Sequence, residues 1–160
     1  MADKKKKLSI IVFSGDYDKA FAAFTIASGA AALDYEVNLF FTFFGLDIIK
    51  KKRGRHFLGK GFRSRFFNFL LGGRSNLPLS RLNFAGLSPL LLGNLAKKRN
   101  VAGVDELIDA SLKLGVNFYA CETAGVILAL QKDDFIPEVK KVIGIGSFLE
   151  LQEGGTTLFI

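Results

Sequence analysis

Cysteine is almost missing from this chain: its 160 residues hold one, Cys121. A single thiol excludes an internal disulfide and a thiolate metal cluster. It fits a reducing compartment, so a cytoplasmic setting is expected. Histidine is as scarce. The lone His56 lies among basic residues and reads as a solvated side chain, not as the base of a Cys–His pair. No apolar run reaches the roughly 18 residues that a membrane span requires. The start, MADKKKKLSIIVFSG, has the lysines of a signal-peptide n-region. Its apolar stretch Leu8–Phe13 is short and no small-residue cleavage site follows, so it reads as a basic arm entering a strand. The turn SGDYDK lacks the G-x-G-x-x-G and Walker spacings of phosphate-binding loops. Ser14, Gly15 and Asp16 therefore read as turn-shaping and helix-capping residues.

Acid is missing from the middle of the chain. Ile48–Val104 carries 13 Lys or Arg and no Asp or Glu. The remainder carries 9 basic and 15 acidic residues. The net charge of +7 thus describes an acidic framework with a strongly basic centre.

What is present is an alternation of strand and helix signals. Leu8–Ser14 is a short apolar run rich in β-branched residues, as a strand buried on both faces should be. Tyr17, Phe21, Phe24, Ala27, Ser28 and Ala31 follow at helical spacing. Gly29, inside that helix, suggests that something approaches closely. Glu36–Phe44 reads as the second strand, stopped by Gly45, with a short helical LDIIKK behind it. GVDELIDASLKLG reads as a helix with acid in its first turn and Gly115 at its end. Val116–Cys121 is the third strand and Glu122–Leu130 a helix. Lys141–Gly146 is the fourth strand, SFLEL a short helix and Thr156–Ile160 the fifth strand. This rhythm predicts one three-layer α/β domain with a mostly parallel five-stranded sheet. A segment from about 50 to 100 departs from the βα rhythm and reads as a basic helical or loop insertion.

An open parallel sheet binds ligands outside the carboxyl ends of its strands. Four turns are expected there: Ser14–Asp16, Phe43–Leu46 with Gly45, Cys121–Thr123 and Gly146–Ser147. Cys121 ends a strand and precedes a helix. The N–H groups of Thr123 and Ala124 and the positive helix end favour a thiolate there, while Glu122 opposes it. Free cysteines are also common as packing residues, and that reading stays open. Inside the insertion, Leu58, Phe62, Phe66, Phe69 and Leu70 recur at helical spacing. A second apolar segment, LSRLNFAGLSPLLLGNLAKKR, is interrupted at Ser88-Pro89. These pieces suit a cover for the active edge, a subunit contact, an anionic membrane surface or an acidic partner. The basic residues offered for such contacts are Lys50, Lys51, Lys52, Arg53, Arg55, Arg63, Arg65, Lys97, Lys98 and Arg99. No nucleic-acid module surrounds them. No metal site and no cofactor is expected.

The stretch SGDYDKAFAAFTIASGAAALDYEVNLFFTFFGLDII resembles the opening of the DsrE/DsrF-like family. PLSRLNFAG, VDELIDASLKLGVNFYAC and the terminal TTLFI resemble its branch with a basic insertion, a branch sometimes labelled peroxiredoxin family. The resemblance implies a flavodoxin-like fold and a homo-oligomer (trimer, tetramer or hexamer). It implies a sulfur carrier or sulfurtransferase working by thiol exchange. Sulfur would sit on Cys121 as persulfide or thiosulfonate and pass to TusA-like or rhodanese-like partners. Two departures stand out. ETAGVILAL follows the cysteine where relatives commonly have a Ser- or Met-rich segment, and the absence of a second cysteine excludes an internal resolving thiol. A membrane-surface or protein-interaction module that uses the basic 50–100 insertion, with Cys121 structural, and an oxidoreductase are the alternatives.

Overall fold

A computed structural model describes residues 5–81 and 87–160. The head of the basic arm (1–4), the LNFAG part of PLSRLNFAG (82–86) and the side chains of residues 87–91 and of Lys97 lie outside the described residues. The apolar runs form five strands: β1 (Lys7–Val12), β2 (Glu36–Phe41), β3 (Asn117–Cys121), β4 (Val139–Ile143) and β5 (Thr156–Phe159). They pair in the order β4-β3-β2-β1-β5, and every pairing is parallel. The helices are α1 (Tyr17–Ala32), α2 (Phe62–Leu71), α3 (Leu87–Lys98), α4 (Val104–Lys113), α5 (Glu122–Leu128) and α6 (Ile145–Leu151). The fold is the expected three-layer, flavodoxin-like α/β sandwich.

Alternation along the central strands loads both faces with rings. On one face Phe24 of α1 packs against Phe41 and Phe118, with ring centroids 6.1 and 5.8 Å away. On the other, Phe148 of α6 stacks on Phe40 at 4.6 Å. The chain steps from β1 through β2 and β3 to β4 in one direction. It then returns across the sheet to β5. A right-handed return crosses the opposite face. That places α6 opposite α1 and α4, which pack together. Burying each such ring contributes about 1.5–3 kcal/mol.

Several boundaries differ from the sequence reading. β2 stops at Phe41, and Phe43–Ile49 winds into a 3₁₀ segment. The turn is made at Phe43, which takes a positive φ of 45°. β4 starts and ends earlier than expected, so Gly146 and Ser147 lie in the first turn of α6 and Gly144 occupies the strand end. Pro89 does not break the second apolar segment. It sits in the first turn of α3, where no backbone donor is needed. Nothing lies within 4 Å of a Cβ built on Gly29, so no close approach explains that glycine.

The insertion is tied to the framework by polar side chains. Lys50 Nζ lies 2.6 Å from Asp47 Oδ1 and donates to the Gly72 carbonyl at 3.1 Å. Both residues are buried. Asn68 Nδ2 donates to the Leu58, Ser64 and Leu128 carbonyls, the last at 2.8 Å. Arg74 Nε pairs with Asp105 of α4 at 2.9 Å.

Candidate functional site

The carboxyl edge of the sheet carries two distinct features. The first is the end of β3. Cys121 pairs in register with Ile143 of β4 and takes the N-cap position of α5 with extended dihedrals (φ −72°, ψ 121°). The strand runs straight into the helix: NFYAC is β-prone, while in ETAGVIL only Glu122, Ala124 and Leu128 are good helix formers and the burial of Ala124, Gly125 and Leu128 holds the turn. Cys121 is only 7 % exposed and belongs to the hydrophobic core. Its side chain makes no capping hydrogen bond, so the first-turn N–H groups, Thr123 and Ala124 among them, are not engaged by the thiol. Thr123 is exposed and Ala124 is buried.

Glu122, the acid beside the thiol, is exposed. Its Oε2 lies 3.9 Å from where a Cβ on Gly144 would sit, so the carboxylate reaches across to the end of β4. Solvent at that position screens its repulsion of a thiolate.

The second feature is a cleft of about 320 Å³ beyond β1, lined by Ser14, Gly15, Asp16, Asp47, Arg55 and Asn76 with apolar walls from Phe44, Leu70, Leu71 and Pro78. Three of the expected edge residues therefore do converge, but on this cleft. Cys121 does not line it. The 3₁₀ segment packs against both β3 and α5. Gly15 and Gly45 are required by packing: a Cβ on Gly15 would lie 2.6 Å from the Phe44 carbonyl oxygen, and one on Gly45 would overlap that of Val12. Asp16 caps α1 by its dihedrals without a side-chain hydrogen bond and pairs with Lys19 at 3.1 Å. Lys19 also reaches Ser14 Oγ at 3.1 Å.

Among the basic contact candidates, Lys50 is corrected. It is 0 % exposed and bonded within the framework, because Asp47 lies one helical turn before it and the Gly72 carbonyl caps it. Lys51, Lys52, Arg53, Arg55, Arg63, Arg65, Lys98 and Arg99 are exposed, with Arg53 lying 3.5 Å from Asp105. His56 is exposed as expected. No cluster of His, Cys, Asp or Glu suited to a metal ion occurs among the described residues. No helix among them is long and apolar enough to cross a membrane.

Asp47 was not singled out by sequence reasoning. Its carboxyl is held above the usual carboxylate range by burial, with Lys50 pulling the other way. The signal was an acid and a base three residues apart inside an apolar run, GLDIIK. Asn68 was missed for a similar reason: it is the lone amide in FFNFLL.

Comparison with known proteins covers nearly the whole chain. Residues 4–159 match the model of the DsrE/DsrF/DrsH-like family. The chain is 37 % identical to the uncharacterized protein YrkE of Bacillus subtilis (strain 168), over the full length of both. It is 31 % identical to the sulfur carrier protein DsrE2 of Allochromatium vinosum, over 92 % of each chain.

Proposed function

The chain belongs to the DsrE/DsrF/DrsH-like family, and from that premise we propose that it carries sulfur on Cys121 and delivers it to a partner thiol. One observation supports the residue assignment above all: the single cysteine of the chain stands at the carboxyl end of a central parallel strand, at the N-cap of the helix that follows. This is the edge at which open α/β sheets place their chemistry. The sulfur carrier protein DsrE2, to which the chain is 31 % identical, gives the class of cargo.

The chemistry is thiol exchange. The Cys121 thiolate attacks a sulfane sulfur of a polysulfide. A bond forms between Sγ and that sulfur as the donor's S–S bond breaks, and the donor leaves as an anion one sulfur shorter. A tetrathionate donor reacts at its central bond and releases thiosulfate. In delivery the acceptor's thiolate attacks the sulfur bonded to Sγ, so that Cys121 leaves as thiolate and the acceptor takes the persulfide sulfur or, after tetrathionate, the thiosulfonate group. No net oxidant is consumed. A TusA-like or rhodanese-like protein is the kind of acceptor this step suits. Burial of Cys121 slows the attack of bulk thiols on the stored sulfur without blocking it. It also requires a local opening for loading at the short helix α5.

The test is intact mass after incubation with polysulfide and removal of the reagent. The wild-type chain should gain sulfur in a form that dithiothreitol strips off. Cys121→Ser should gain none. An identical reducible adduct on Cys121→Ser would sink the proposal.

A further inference from the structure

Helix α2 is built inside out. A surface helix ordinarily buries its apolar stripe and exposes its polar side. Here the one buried side chain is Asn68, at 1 % exposure, and it serves three backbone carbonyls. Phe62, Phe66 and Phe67 face outward. Phe62 is 86 % exposed, and Phe66, Phe67 and Leu70 are each about half exposed. Phe57, also about half exposed, stacks flat on Phe69 with centroids 4.6 Å apart and braces the patch. Lys60, Arg63 and Arg65 stand exposed around these rings. No acid occurs anywhere between residues 48 and 104.

We propose that α2 is a membrane-surface docking element whose occupant is an anionic lipid bilayer. Charge favours the bilayer over a two-fold contact with a second copy. A patch bearing only cations repels a second copy of itself across a two-fold contact, whereas an anionic headgroup layer attracts every one of them. The rings then have an apolar phase to enter. An interfacial helix lies in the membrane plane with its apolar face at the acyl boundary. The length agrees: ten residues extend roughly 15 Å, half of a hydrocarbon core, so α2 rests on the bilayer and does not span it. Gly61 and Gly72 bound the helix with positive φ values of 87° and 75°. This surface does not involve Cys121, so it stands apart from the sulfur-carrier reading.

The experiment is co-sedimentation of the full chain with vesicles of phosphatidylcholine, alone or with roughly a third phosphatidylglycerol, at low salt and with added salt. Binding is expected only to the anionic vesicles, and salt should weaken it. Phe62→Ser/Phe66→Ser and Arg63→Glu/Arg65→Glu should each weaken it by about tenfold or more. These side chains are exposed, so folding is not at stake. The chain contains no tryptophan, and Phe62→Trp therefore gives a clean reporter. Its emission should shift to the blue on adding anionic vesicles. Cys121→Ser should bind vesicles as the wild type does, which keeps this test separate from that of sulfur carriage. Three results would overturn the inference. They are no binding at low salt, equal binding to neutral vesicles, or a Phe62→Trp emission already blue without lipid, which would mean that another protein copy or partner covers the ring.

Discussion

Lys50→Met is expected to lower stability at neutral pH by about 3–5 kcal/mol, the usual cost of leaving one partner of a buried ion pair alone. The pair is unusually closed. Lys50 is 0 % exposed and Asp47 4 %. Removing the ammonium leaves a carboxylate without its counter-charge and frees the Gly72 carbonyl, the clasp that holds the insertion. The pH dependence has a definite sign. Asp47 already has a raised pKa, first through burial, opposed by Lys50. The favourable contribution of its protonated form is full below the unfolded carboxylate pKa and is lost as pH rises through the folded one. Without Lys50 that folded pKa rises further. The deficit of Lys50→Met should therefore shrink on acidification. The double variant Asp47→Asn/Lys50→Met should recover much of the loss, since an apolar or neutral pair of similar volume often replaces a buried ion pair at little cost. Urea titrations at two pH values test both statements. A single variant as stable as the wild type at neutral pH would show that the pair is not closed as described.

Gly45→Ala and Gly29→Ala should move stability in opposite directions. At Gly45 the new methyl would overlap the Val12 carbonyl oxygen and press on the backbone behind it. No rotamer change relieves a backbone clash, so the 3₁₀ segment must shift. It is held by hydrogen bonds from the Gly45 N–H to the Phe13 and Thr42 carbonyls, both 2.9 Å. A cost of about 3 kcal/mol or more is expected, at the upper end of overpacking. Gly29 is exposed inside α1 with open space around its Cβ position. There alanine should stabilise by roughly 0.5–1 kcal/mol. Thermal melts of the two variants make the comparison. A neutral Gly45→Ala would mean that the β1 loop and the 3₁₀ segment are not in contact.

Much of this architecture was legible from the alternation of apolar runs and helical spacings, because period and length carry the α/β signal. Cys121 at a strand's carboxyl end was legible for the same reason. The losses are instructive. EVNLFFTFF reads as one long strand, yet the chain turns at Phe43, since continuous apolarity cannot distinguish a buried strand from a buried helical turn. Lys50 was counted among exposed cations because composition does not reveal that Asp47 sits 2.6 Å away. In α2 the spacing of Phe62, Phe66 and Phe69 marks an apolar face correctly but is silent on where it points. The backbone carbonyls of Leu58, Ser64 and Leu128 claim Asn68, and that turns the rings outward.

The central claim is carriage, which requires that sulfur leave Cys121 as well as arrive. The direct measurement loads the chain with polysulfide, removes the reagent, adds a thiol acceptor and follows both masses in time. Carriage predicts that the chain returns to its unmodified mass while the acceptor gains the sulfur, one atom for each atom lost. A loaded chain that keeps its mass in the presence of the acceptor, or that sheds sulfur without the acceptor gaining it, would contradict the account.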